Sequence, residues 1–94
     1  MIREDCVRVV ILDLHDAEII ADTRRAVHDA FRRRAATEQW VVSVTASPTI
    51  GRWNLGIRGP VGQHVLSFEA SPTLVPGFVS HHLSRHLAGL DSQP

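Results

Sequence analysis

Residues 39–70 read QWVVSVTASPTIGRWNLGIRGPVGQHVLSFEA, three β-rich runs separated by two turn signals. In the first run, Gln39 to Ala46, Trp40, Val42 and Val44 fall on one side and Val41, Ser43 and Thr45 on the other, the period of a strand with one buried face. Ser47-Pro48-Thr49 marks a turn. Arg52 to Arg58 alternates again, with Trp53, Leu55 and Ile57 apolar against Arg52, Asn54, Gly56 and Arg58. Gly59-Pro60-Val61-Gly62 is a hairpin signal. Gln63 to Ala70 then gives a strand with Leu66 and Phe68 inward and Gln63, Ser67 and Glu69 outward. Short turns between such strands predict an antiparallel meander.

Upstream, Cys6 to Leu14 (CVRVVILDL) is nearly continuously apolar, the pattern of a strand buried on both faces. Such a strand is expected to pair inside the sheet or to be covered by a second copy of the chain. Asp16 is a helix N-cap, with Glu18 in the first turn where the helix dipole favours an acid. From Ala17 to about Ala36 the period is helical: Ile19, Ile20, Thr23, Val27, Ala30 and Phe31 share a face, and Arg32, Arg33 and Arg34 fall in the last turns. Downstream, Pro72 and Pro76 divide a short turn after Ser71 from a helix beginning near Pro76. Val75, Val79, Leu83 and Leu87 form its stripe, Gly89 is its expected stop, and 91–94 are expected to fray.

The order is β-α-β-β-β-α, and two amphipathic helices must bury their stripes against the meander. The expected fold is α+β: a two-layer sandwich of a mostly antiparallel four-stranded sheet with both helices on one face. Ninety-four residues suffice for one domain. The expected core is Val9, Ile11, Ile20, Val27, Phe31, Val42, Val44, Trp53, Leu55, Ile57, Leu66, Phe68, Val79, Leu83 and Leu87. The other sheet face stays open and displays Val10, Leu12, Val41, Ser43, Arg52, Asn54, Arg58 and Val65 as a candidate interaction surface.

Charge excludes some partners. Ten basic residues, all Arg, balance ten acids, without the basic surplus by which a phosphate-binding domain releases counterions. Residues 1–38 carry seven Arg and eight acids, whereas 39–94 carry only Arg52, Arg58, Arg85, Glu69 and Asp91. The second half is therefore the more inclined to contact a partner. The longest apolar run, Val9 to Leu12, is far short of the ~20 residues a membrane span needs. The N-terminus lacks the features of a signal peptide. A single cysteine, Cys6, fits a reducing, cytoplasmic setting.

Catalytic chemistry finds no convergent set. Cys6 opens an apolar strand; Asp13, Asp16 and Glu18 cluster where capping accounts for them; the glycines match no phosphate loop. No catalytic residue and no cofactor is assigned, and the chain reads as a non-enzyme. Six histidines stand out, and His82 and His86, four apart on the second helix, have the spacing of a two-imidazole metal site that His64 could approach. Trp40, Trp53 and Phe68 alternate away from the open face, where RNA-reading sheets place their stacking rings.

The element order over roughly residues 6–88 is similar to that of the ribosome hibernation factors, and its last five elements resemble the double-stranded RNA-binding domain. That resemblance implies an RNA- or ribosome-associated factor. The second helix departs from the RNA-binding pattern, since Arg85 is its one basic residue apart from histidine. The residues themselves favour a small binding or assembly module acting through its open face. It is expected to be a homodimer, with a protein partner possible, nucleic acid disfavoured and membrane excluded.

Overall fold

The computed structural model describes residues 6–32, 34, 37–60 and 62–91. The chain forms strands β1 (Val7–Ile11), β2 (Trp40–Ala46), β3 (Arg52–Gly59) and β4 (Gly62–Glu69) and helices α1 (Ala17–Ala30) and α2 (Val75–Asp91), the latter entered through a 3-10 turn at Pro72–Leu74. The order is β-α-β-β-β-α, as the sequence predicts. The sheet runs β1-β2-β3-β4, with β1 parallel to β2 and the other pairs antiparallel. Its smallest Cα extent, 17 Å, accommodates one sheet and one helix layer.

Strand parity sets the layers. Trp40, Val42 and Val44 of β2, Trp53, Leu55 and Ile57 of β3, and Phe68 of β4 are buried, while their odd–even neighbours line the opposite face. The helices close the buried side with Thr23 and Val27 of α1 and Val75, Val79, Leu83 and Leu87 of α2. Thr23 is the one buried polar side chain among the described residues, and its hydroxyl donates to the Ile19 carbonyl at 2.7 Å, so its burial leaves no donor unmatched. Cys6, Val7, Leu14, Trp40 and Val75 join the expected core, whereas Val9, Ile11, Ile20 and Leu66 are only half-buried at its margin.

Asp16 caps α1: its carboxylate accepts from the N–H of Glu18 at 2.9 Å and of Ile19 at 3.2 Å. Asp16→Ala is expected to lower stability by about 1 kcal/mol, read as a shift of the urea midpoint at constant slope.

Four expectations change. Helix α1 ends at Ala30 rather than near Ala36, because Phe31 turns its ring onto Trp40, with centroids 5.1 Å apart. Arg32 and Arg34 therefore follow the helix instead of closing it. Gly89 does not stop α2, which continues to Asp91. Residues 92–94 of the expected tail, with Arg33, Ala35 and Ala36, lie outside the described residues. Finally, β1 is shorter than Cys6–Leu14 and lies at the sheet's edge, not inside it. A strand–helix–strand connection lays β1 beside β2, and the hairpins that follow extend the sheet away from it.

At the β3–β4 hairpin two glycines have structural reasons. Gly62 sits at φ +137°, a conformation L side chains rarely adopt. A Cβ on Gly59 would run into the six-membered ring of Trp40, so the indole packs where a side chain would stand.

Candidate functional site

The helix-free side of the sheet is the candidate site, and its rows follow from the strand registers. The first row holds Arg8, Val41, Arg58 and Gln63; the second Val10, Ser43, Gly56 and Val65. The third holds Leu12, Thr45, Asn54 and Ser67: Leu12 is past the end of β1, but its N–H still donates to Val44 at 2.9 Å. The fourth is Arg52 and Glu69.

The structure thus brings Val10, Leu12, Val41, Ser43, Arg52, Asn54, Arg58 and Val65 onto one face. Val10 is 36% exposed, Leu12 54% and Val65 59%; Val41 is half-buried. Val10, Leu12 and Val65 leave apolar area exposed on a face that no other described element covers. Gly56 lies between Ser43 and Val65, and a Cβ there would come within 2.5 Å of the Ser43 hydroxyl. The centre of the face is therefore shallow, with Val10 and Val65 raised on either side.

Charge is arranged at the two ends. At one end Arg52 donates to Glu69 at 3.3 Å and to the Ser67 hydroxyl at 3.1 Å, a cross-strand tie in solvent that contributes little stability. At the other end stand Arg8 and Arg58, which form no ion pair among the described residues. They border a hollow floored by Trp40, Val41 and Gly59.

Asp13 has a role that sequence reasoning assigns to helix capping. It adopts φ 70°, the left-handed region that Asp tolerates better than most residues. Its carboxylate accepts the Ala46 N–H at 3.1 Å, fastening the β1–α1 turn to the end of β2.

Three of the six histidines, His64, His82 and His86, gather on the helix side of the sheet, above β4. His86 stacks on His64 with centroids 5.1 Å apart; Phe78 stacks on Phe68 at 5.4 Å; His82 lies 5.6 Å from Phe68 and 6.2 Å from Phe78. Imidazole serves here as packing surface. Among the described residues no three His, Cys, Asp or Glu side chains come together as a metal group, so His82 and His86 remain a pair without a third ligand. Phe78, 36% exposed, and Leu74, 55% exposed, belong to this ledge and fall outside the sequence reading, because they lie off the four-residue stripe.

Burial holds His82 below its usual 6.5, with repulsion from His81 and Arg85 adding to it; burial and His64 do the same for His86. Both groups favour the neutral form in the folded chain, so the unfolded chain binds protons first as pH falls. Their contribution to stability is full above 6.5 and is lost as pH drops below it. Urea unfolding at about pH 7.5 and about pH 5.5 is expected to show the lower midpoint at the lower pH. A midpoint that rises on acidification would contradict this packing.

No family model matches the chain, and no curated protein matches its sequence. No described helix is long and apolar enough to cross a membrane.

Proposed function

We propose that the chain is a small, non-enzymatic binding or assembly module of the cytoplasm. It acts through the open face of its sheet, where two copies meet about a two-fold axis or one copy meets a protein partner. The observation that carries this reading is the exposure of Val10, Leu12 and Val65 on a face with no covering layer. Both helices already pack on the other side, and among the described residues no further element lies over these three. A closed, isologous pair is the commonest way to do so. The free, buried thiol of Cys6 agrees with a reducing compartment.

The runner-up, an RNA- or ribosome-associated factor, finds less support on this face. Trp40, Trp53 and Phe68 are turned into the core, which leaves no ring for base stacking. Salt separates the two readings. Apolar association between copies is expected to persist as salt rises from about 50 mM to about 200 mM, whereas phosphate-driven binding falls steeply over that range. Fluorescence anisotropy of labelled chain against unlabelled chain, and against duplex and single-stranded RNA, at both salts makes the comparison. Tight RNA binding that collapses with salt would overturn the assembly reading in favour of the runner-up.

A further inference from the structure

The two edges of the sheet are not alike. In β3 the odd-numbered residues bond to β4, as the Ala70 N–H to Gly51 carbonyl bond of 3.0 Å continues beyond the ladder; even-numbered residues bond to β2, as Ser47 N–H to Arg52 carbonyl at 2.9 Å shows. On β4 this leaves the N–H and C=O of Gln63, Val65, Ser67 and Glu69 pointing off the sheet. On β1 the corresponding outward carbonyl of Val9 receives the Arg24 guanidinium at 3.4 Å, and Val7 is buried. Exposed edges are usually blunted by charge, proline, bulges or shortness. β4 has no proline, bulge or shortness to blunt it and little charge: it is eight residues long, pairs with β3 without a break, and carries Glu69 as its one permanent charge.

We propose that β4 is an assembly edge that pairs antiparallel with β4 of a second copy, about a two-fold axis through Leu66, to make one continuous eight-stranded sheet. Only this register uses every outward group. Gln63 meets Glu69 of the second copy and Val65 meets Ser67, so four residue pairs with two bonds each give eight hydrogen bonds. Centring the axis on Val65 or Ser67 leaves one outward residue at each end beyond the partner's β4. The chosen register is also complementary in charge. Along the open face it sets Arg58, Gln63, then Glu69 and Arg52 of the second copy in one row, with no like charges adjacent.

The helix layer explains why the occupant is a second copy and not an extended peptide. One flank of α2 packs against α1. The other stands over β4, with Phe78 and His82 on Phe68 and His86 on His64. Strands are about 4.8 Å apart, so two helices each spanning two strands lie about 10 Å apart across the axis, a helix-packing distance. A second copy therefore covers Phe78, 36% exposed, and supplies a helix beside Leu74, 55% exposed. A lone peptide strand would satisfy the edge and leave this ledge wet.

The pairing uses the sheet's edge and leaves the open face of both copies free, so it stands apart from the face contact proposed above. Cross-linking tests it. In the paired sheet position 65 of one copy lies opposite position 67 of the other, within disulfide reach, while 65 to 65 is about 8 Å, too far to bridge. Mixed under mild oxidation, Val65→Cys and Ser67→Cys chains are expected to form a linked dimer, and each variant alone roughly tenfold less. Both positions are exposed, so folding is preserved, and wild type with its buried Cys6 is the control. A mixture that links no better than wild type would overturn the proposal. So would Val65→Cys linking alone as well as in the mixture, the signature of a face contact. Repeating the mixture with Val10→Asp and Leu12→Asp added is expected to leave the yield unchanged; a fall in yield would show that the link forms through the face.

Discussion

Trp53→Ala is expected to cost about 3–5 kcal/mol. Trp53 lies near the start of a central strand, 6% exposed, opposite Phe68 on one side and Ala46 on the other. Its indole N–H donates to the Ala70 carbonyl at 3.0 Å, so truncation both opens a cavity and strips an acceptor of its partner. A domain of this length holds about 5–14 kcal/mol in all, and the variant should lose about a fifth of it or more. The measurement is the urea midpoint at unchanged slope. A cost near zero would place Trp53 outside the core and reverse the parity of the sheet, exchanging the buried and open faces.

The second large effect concerns association. Val10→Asp with Leu12→Asp is expected to leave the isolated chain within about 0.5 kcal/mol of wild type, since both side chains are already exposed. In a face-to-face pair the same carboxylates would be brought together across the two-fold and desolvated. A loss of at least 2 kcal/mol corresponds to association about 30-fold weaker. Light scattering over a concentration series compares the two proteins. Equal association would mean that copies meet by some other surface.

The period of the sequence carries the layers of this fold well. Trp40, Val42 and Val44 alternate with Val41, Ser43 and Thr45, and the buried set in the structure is the apolar set. The stripe Val75, Val79, Leu83 and Leu87 is likewise buried. Sheet order is a different matter. Val9, Val10, Ile11 and Leu12 are apolar on both sides, which local pattern cannot distinguish from an inner strand, and β1 becomes an edge because of its crossover to β2. The end of α1 depends on where Phe31 finds Trp40, a contact across nine residues that helical period does not register.

Of the candidate face, its residues are legible and its interactions are not. Parity alone assigns Ser43, Asn54 and Val65 to it, whereas the engagement of Arg52 with Glu69 and Ser67 depends on the β3–β4 register. Asp13 illustrates the same limit. An acid just ahead of a helix suggests capping, but its φ of 70° turns the carboxylate to Ala46 in a neighbouring strand. Gly56 carried a signal, since glycine inside a strand marks a close approach, here by the Ser43 hydroxyl.

Sedimentation velocity of the unmodified chain across the micromolar range tests the assembly reading most directly, because the face-to-face pair and the paired β4 edges both bring copies together. The account predicts species at two or more times the 10.4 kDa chain mass, growing with concentration and persisting at moderate salt. A single species at 10.4 kDa throughout the range would contradict it.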